Sequence, residues 1–250
     1  FSSRGISGAS KIVIHSIMFS MLKNQPATRQ TFVLSDPEGR SKGFDPYLEF
    51  EKKYQDIMGE KILVNKDDIR NAIFKLSQYV DEVGQSKFVG YRDIFDYNRN
   101  VTDKQEPLKC LCLLDFPKYF DERMLDELYN IVNNGAEYGI QVLIDFNEDY
   151  LNDNYRESVM NIMSKIMSKC TQLEYVFGKW KFNNGVCLRF ATTPDSYIMR
   201  QFMNIYDEQY EDMKNTNLPL GKIISRDKWF ESSSSDNLTI PIGKNEYGEI

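Results

Sequence analysis

Residues 108–116 read LKCLCLLDF. Seven of these nine positions are apolar, with no alternation of polar and apolar residues. A strand of this kind is expected where both faces of a sheet are covered, which is the environment of a parallel sheet. The flanking sequence agrees. TFVLSDPEG (31–39) reads as a short apolar strand ending in an Asp-Pro turn, KILVN (61–65) as a second strand and GIQVLID (139–145) as another. Between them lie helical patterns. SKIVIHSIMFSMLKN (10–24) is apolar on most sides, and KDDIRNAIFKLSQYVDEV (66–83) places Ile69, Ile73, Leu76 and Val80 on one face. DERMLDELYNIVNNG (121–135) reads as a helix closed by Gly135, and YRESVMNIMSKIMSKC (155–170) as a helix with Met160, Met163 and Met167 turned to the core. Strands alternating with helices of this length predict an α/β domain built on a parallel sheet.

After Cys170 the pattern changes. QLEYVF, KWKFNN and VCLRFA predict a small antiparallel addition with a turn at residues 183–185, followed by a long helix from Pro194 to Asn215. The acidic group Asp207, Glu208, Glu211 and Asp212 reads as a solvated helix face. The stretch from Asn217 to Ile250 is polar and serine-rich, and reads as a linker or extension. The boundaries drawn from this are one α/β domain over 1–216 and a linker over 217–250.

Composition narrows the function classes. The chain has 250 residues, 41% apolar and 27% charged, close to ordinary globular values. A formal charge of −6 argues against this chain alone gripping a nucleic-acid backbone. No Asp or Glu precedes Asp36, whereas Arg4, Lys11, Lys23 and Arg29 do, so the N-terminal end is locally basic. Cys110, Cys112, Cys170 and Cys187 lack paired metal-ligand spacing, and His15 is the only histidine. Neither a zinc site nor a disulfide framework is expected, and the thiols suit a reducing compartment. No apolar run reaches the roughly 18 residues a membrane span needs, so a soluble, cytosolic piece is expected.

Two stretches bear on chemistry. GISGASKI (5–12) nearly matches a phosphate-binding loop, with Gly5, Gly8 and Lys11 in place, and it opens a helix whose N-terminal dipole favours anions. Ser7 and Ser10 lie in the same loop, but Ser10 stands where the second glycine belongs, and Ile12 where a magnesium-binding hydroxyl belongs. By itself the loop is read as a glycine-containing helix start before a nucleotide site. The second stretch is the end of LKCLCLLDF, where Asp115 occupies the place of a carboxylate that faces magnesium in P-loop enzymes. Phe116 follows, where a water-activating glutamate would be required. Asp115 also has a plain reading, as a turn residue at a strand end.

The order of these pieces resembles the FtsK/SpoIIIE family of P-loop DNA translocases, including the tandem ATPases of type VII secretion. The likeness covers nearly the whole chain. It rests on the loop and helix GISGASKIVIHSIMFSMLKN, on LSDPEG, on YRDIFDYNRN (91–100), on CLCLLDFP and on IVNNGAEYGIQVLIDFN (131–147). The tail KWFESSSSDNLTIPIGKNEYGEI is similar to the lead-in to a further ATPase domain. The resemblance implies a three-layer RecA-like P-loop fold with a mostly parallel sheet. It implies a vestigial nucleotide loop at Gly5, Ser7, Gly8, Ser10 and Lys11, a Walker B-like Asp115, and ATP with magnesium as the family's cofactors.

Several departures from the family pattern point one way. Glu38 replaces a lysine, Ser10 and Ile12 break the loop, Phe116 replaces the catalytic glutamate, and Asp145–Phe146–Asn147 replace a Thr-Gln pair. Against that family, the opening loop reads as the remains of a nucleotide site. The function expected is a degenerate, non-hydrolysing ATPase module of a DNA translocase or secretion motor, structural or regulatory in role, with no catalytic residue and no metal ligand. Two alternatives stay open: an active ATPase completed by a neighbouring subunit, and a peptide-binding module of a secretion motor. The partners implied are neighbouring ATPase domains of the same chain, a homo-oligomeric ring, and DNA or a secreted protein engaged through the full-length protein. Membrane association is expected only through other parts of that protein. The four residues FSSR before Gly5 are too few for the strand that feeds such a loop, so the sequence is expected to be part of a longer polypeptide. Finally, burial of Ile12 would favour a collapsed loop, with Ile12 in the core and Phe116 filling the pocket.

Overall fold

A computed structural model describes residues 9–39, 41–59, 61–101, 105–151, 157–182, 184–190 and 193–215. The chain divides into two compact units, residues 1–203 and 204–250. In the first, strands β1 (Gln30–Ser35), β2 (Leu108–Phe116) and β3 (Ile140–Phe146) form a parallel sheet in the order β1-β2-β3. The central strand is buried continuously from Cys110 to Phe116, as its unbroken apolar run requires. KILVN does not form a full strand: it touches the sheet through a single bridge from Leu63 to Ser35. The lone bridge is closed by two backbone bonds, Leu63 N–H to the Leu34 carbonyl and Asp36 N–H to the Leu63 carbonyl.

One face of the sheet carries Leu111, Leu113 and Ile144 into a core shared with three helices, α4 (Lys66–Gln85), α6 (Glu122–Asn134) and α7 (Glu157–Lys169). All four apolar positions expected on one face of α4 lie there. Asn65 and Asp121 cap α4 and α6 by accepting from the amides of Asp68 and Met124, satisfying donors that a helix start leaves open. Arg70 then reaches from α4 to Asp121 at 2.6 Å, fixing the two helices side by side. Of the three methionines assigned to the core on α7, only Met163 is buried. Met160 is 44% exposed, because it falls on the outer side of the helix.

The opposite face is covered by α1 (Ala9–Asn24) and by the segment after β1, which forms a 3-10 turn over Lys42–Tyr47, then α2 (Leu48–Lys53) and α3 (Gln55–Met58). Val13, Ile14, Met18 and Leu22 are all buried, so α1 is apolar on most sides for the reason read from its sequence. The Tyr47 hydroxyl donates to the His15 carbonyl at 2.6 Å, and His15 Nε2 donates to the Gly43 carbonyl at 2.6 Å. These bonds pin α1 against the turn.

α6 ends at Asn134 with Gly135 as its C-cap, as the sequence suggested, but not in a left-handed conformation. The φ of Gly135 is −66°, within the helical range, and the chain continues as a 3-10 turn to Tyr138. The left-handed stop comes at Gly139, φ 80°, where any Cβ would lie 2.5 Å from Ile94. Ile94 belongs to α5 (Ile94–Asn100). There, Tyr97 is buried against Phe88 and Tyr91, whereas Phe95 is 55% exposed.

The antiparallel sheet β4 (Leu173–Val176), β5 (Lys179–Phe182) and β6 (Cys187–Leu188) follows in that order. Its first hairpin turns through Phe177 and Gly178, both left-handed at φ 51° and 77°, the backbone that a two-residue hairpin loop demands. The sheet packs onto α1 through Trp180 and Leu173 against Ala9 and Val13. The helix α8 (Ser196–Asn215) begins in the first unit, with Phe202 against Phe19 and Phe50. In the second unit Tyr206 and Tyr210 stack one turn apart. No described helix is long and apolar enough to cross a membrane. The linker assigned to 217–250 lies outside the described residues.

Candidate functional site

The C-terminal ends of the three parallel strands bring Asp36, Asp115 and Asp145 to one edge of the sheet. All three are buried. Asp36 serves the backbone around it. Its carboxylate accepts from the amides of Gly39 at 2.9 Å and Gly43 at 2.8 Å, closing the Asp-Pro turn.

Asp115 is held differently. The pairing of β2 with β3 runs in register to Leu113 and Ile144, then resumes at Phe116 and Phe146, so β2 carries one extra residue. At this bulge Asp115 adopts φ 52°, a left-handed conformation that costs a non-glycine residue about 1–3 kcal/mol. The bulge has a clear result. Phe116 joins Leu111 and Leu113 in the apolar core, in the place a regular strand would have given to Asp115. The carboxylate is thereby kept out of the helix layer. Among the described residues its Oδ1 accepts a long 3.4 Å bond from Asn147, and its buried Oδ2 has no hydrogen-bond partner. Burial raises the Asp115 pKa, the Lys11 ammonium pulls it back, and the charges of Asp145 and Asp36 push it up again.

Lys11 therefore acts on Asp115 from the first turn of α1. Gly5, Ser7 and Gly8, the remaining loop residues singled out in the sequence, lie outside the described residues. Ser10 is buried in the same turn. Ile12 is 46% exposed, which corrects the expectation that it turns into the core. Phe116 does not fill the pocket either, since it packs on Phe120 and Phe146 in the other layer. The reason is geometric: the helical turn carries Ile12 to the side of α1 away from Val13 and Ile14, and the bulge carries Phe116 away from Lys11.

A rim of side chains not foreseen in the sequence surrounds Asp115. Lys118 forms an ion pair with Glu38, the residue standing where the resembled family has lysine. The Tyr150 hydroxyl donates to Glu38 at 2.8 Å, and the Lys118 ammonium lies over the rings of Tyr150 and Tyr119 at 5.0 and 5.4 Å. The bond to Glu38 raises the Lys118 pKa. No signal for this exists in the sequence alone, because an isolated lysine and tyrosine in two strand-end turns carry no spacing rule.

The residues do not fit a magnesium set. Among the described residues no group of three or more His, Cys, Asp or Glu side chains is arranged to hold a metal ion. Asp36 is occupied by backbone amides, and Ile12 offers no oxygen. What the arrangement can do is present the positive charge of Lys11 at a helix start, backed by a carboxyl that is not paired with it. A separate cavity of about 540 Å3 follows β3 and the turn after α7, and does not include Lys11 or Asp115.

Comparison with known proteins agrees with this architecture. No protein-family model matches the chain, and no curated protein matches it in sequence. Solved structures do. The chain shares an α/β fold, a parallel three-stranded sheet with a small antiparallel sheet after it, with ATPases of the FtsK/SpoIIIE type. One is the cytoplasmic domain of the type VII secretion ATPase EccC of Thermomonospora curvata, with a TM-score of 0.57 at 13% identity over 80% of this chain and 27% of that one. A second is the pCW3 conjugation coupling protein TcpA, a monomer form with ATPγS, with a TM-score of 0.54 at 13% identity over 82% of this chain and 63% of that one. A third is the EccC fragment of ATPases 2 and 3 from the same organism as the first, in complex with a signal sequence peptide, at 0.53 and 14% over 84% and 41%. The chain spans less than two thirds of the length of each.

Proposed function

We propose that this chain is a degenerate, non-hydrolysing ATPase module of an FtsK/SpoIIIE-type motor for secretion or conjugative transfer, with a structural or regulatory role. In this reading the fold is a three-layer RecA-like P-loop domain over 1–216, and 217–250 is a linker towards a following domain. Lys11 and the preceding residues 5–8 are a retained anion site, and Asp115 is the vestige of a Walker B carboxylate.

One observation carries the reading: Lys11 acts on Asp115 at the C-terminal edge of the parallel sheet, while the next residue, Phe116, is buried in the apolar core. An anion at α1 would thus meet a cation and backbone amides but no general base, whose absence typically costs about 10²–10⁴ in rate. The likeness to ATPase domains, one of them determined with ATPγS, supports the anion assignment. The partners that follow are active ATPase domains in the same polypeptide and in a ring of copies, with DNA or a secreted protein handled by the whole assembly.

The test is steady-state turnover of magnesium-ATP by the purified chain. Negligible hydrolysis is expected. Turnover near about 1 s⁻¹, the low end of ordinary enzyme rates, abolished by Lys11→Ala, would overturn the proposal.

A further inference from the structure

Strand β3 has the sequence of an inner strand in an outer place. Ile140, Val142, Leu143 and Ile144 make it apolar on both faces, as β2 is, and a strand of that kind is expected between two neighbours. Among the described strands, however, only β2 pairs with it. β2 is buried continuously from Cys110 to Phe116, whereas Val142 and Leu143, adjacent residues on opposite faces of β3, are both only half-buried. An open edge is usually protected by a charge, a proline or a bulge. From Ile140 to Ile144 there is no proline and no charge, and the register shift falls beyond Ile144.

The backbone of this edge is defined by its pairing on the other side. Lys109 N–H donates to the Gly139 carbonyl at 2.9 Å, and Lys109 stands opposite Ile140. In a parallel ladder this commits the backbone groups of Gly139, Gln141 and Leu143 to β2. The N–H and C=O groups of Ile140, Val142 and Ile144 therefore point away from it. The cavity of about 540 Å3 beside β3 is lined by every residue from Ile140 to Ile144. A cavity that meets both faces of a strand in this way follows its edge, here for about 13 Å at the usual rise of a strand. Its walls are apolar, with Ile131 and Val132 from α6 and Met167 and Leu173 from the chain around the end of α7. Glu148, two residues past β3, also lines it and marks the C-terminal end.

We propose that this groove takes a strand from a partner polypeptide, an extended apolar segment of about five residues that adds to β3 in parallel and is followed by a basic residue. Parallel addition continues the sheet β1-β2-β3 in the sense it already has, and supplies backbone partners to Ile140, Val142 and Ile144. In that direction the C-terminal end of the incoming strand lies by Glu148, whose carboxylate favours a lysine or arginine there. The apolar walls select uncharged side chains on both faces of the strand, as the half-buried Val142 and Leu143 do. Neither Lys11 nor Asp115 lines the groove, so the proposal is independent of the anion reading of α1.

The experiment is calorimetry and amide hydrogen exchange by NMR on the full chain, with the peptide acetyl-Val-Ile-Val-Leu-Val-Lys-Lys-amide as probe. Binding is expected, with new protection at the amides of Ile140, Val142 and Ile144 and none added at Gln141 and Leu143, which β2 already protects. A peptide of the same composition with its lysines first should bind about tenfold more weakly, because it sets the cations away from Glu148. Val142→Pro removes one outward amide and leaves the ladder to β2 intact, so it should weaken the probe about fivefold, the scale of one lost backbone bond. If that variant does not fold, the protection pattern of the natural chain decides alone. Absence of binding, or protection at other amides, would overturn the proposal, and equal affinity for the two peptides would overturn its direction. Outward amides already protected in the chain alone would assign the edge to a segment of the same polypeptide. Protection that grows with chain concentration would assign it to a second copy, and either result overturns the partner strand.

Discussion

Asn98 and Glu106 are joined as two adjacent strands would be: the Asn98 side-chain amide donates to the Glu106 carbonyl at 2.8 Å, and its oxygen accepts from the Glu106 amide at 2.8 Å. One side chain thereby replaces a length of sheet at the entry to β2, which starts two residues later. Gln105 adds a bond from its side chain to the Asn98 carbonyl at 2.7 Å. Asn98→Ala leaves two backbone groups of Glu106 without these partners, and should destabilise the fold by about 1–3 kcal/mol. Urea denaturation reads this directly, and an unchanged midpoint would show that water replaces both bonds without loss.

The turn over the sheet edge is equally constrained at Gly43. A Cβ there would lie 2.5 Å from Leu114 Cδ1 and 3.0 Å from the Asp36 carboxylate that Gly43 itself binds. Gly43→Ala is expected to cost about 1–3 kcal/mol by overpacking. Gly90, whose added Cβ would meet nothing within 4 Å, is a poor control because its φ is 90°. Ser41→Gly, which relieves a φ of 77°, should instead stabilise the same turn in thermal melts.

Asp115 sets a pH dependence of definite sign. Its pKa in the fold lies above the ordinary 3.8, chiefly through burial, so the folded chain holds this proton more tightly than the unfolded chain. Stability from this group therefore falls as pH rises from 3.8 through the raised value. Asp115→Asn should melt higher than the natural chain at neutral pH, with the gap closing towards about pH 4. Equal melting temperatures at neutral pH would show that Lys11 fully compensates the buried charge.

His15 works in the opposite direction. Since Nε2 donates to Gly43, the proton is on that nitrogen and Nδ1 is left bare and buried, without a partner among the described residues. Burial and the nearby Lys11 charge lower the His15 pKa below 6.5, against the Gly43 bond and Asp45. The unfolded chain takes up this proton first, so stability is lost as pH falls below 6.5 towards the folded value. As His15 is the sole histidine, its ring-proton NMR signal titrates alone. A midpoint at or above 6.5 would contradict the burial argument.

The parallel sheet was legible because β2 is apolar without alternation, and only burial on two faces explains that. The buried face of α4 followed from helical spacing. What escaped the sequence depended on contacts between distant residues. KILVN has a strand's composition, but only Leu63 finds a partner. Gly135 caps α6 as read, but the left-handed φ falls one 3-10 turn later, at Gly139. At the site, the sequence showed Asp115 at the end of a strand and Lys11 at the start of a helix, and that is where they lie. The bulge that sends Phe116 to one layer and Asp115 to the other was not legible, because register between β2 and β3 is a property of the pair. The partnership of Glu38, Lys118 and Tyr150 was hidden for the same reason, being spread over three strand-end turns.

The four thiols differ widely in access. Cys110 and Cys112 are fully buried on β2, where burial raises the Cys112 pKa, and Cys170 is half-buried with its pKa raised by the same cause. Cys187 alone is exposed, on the short strand β6. Thiol-directed chemistry should therefore discriminate among them by kinetics, modifying Cys187 long before the others. The natural chain thus carries its own single attachment point for a fluorophore or spin label, on the antiparallel sheet.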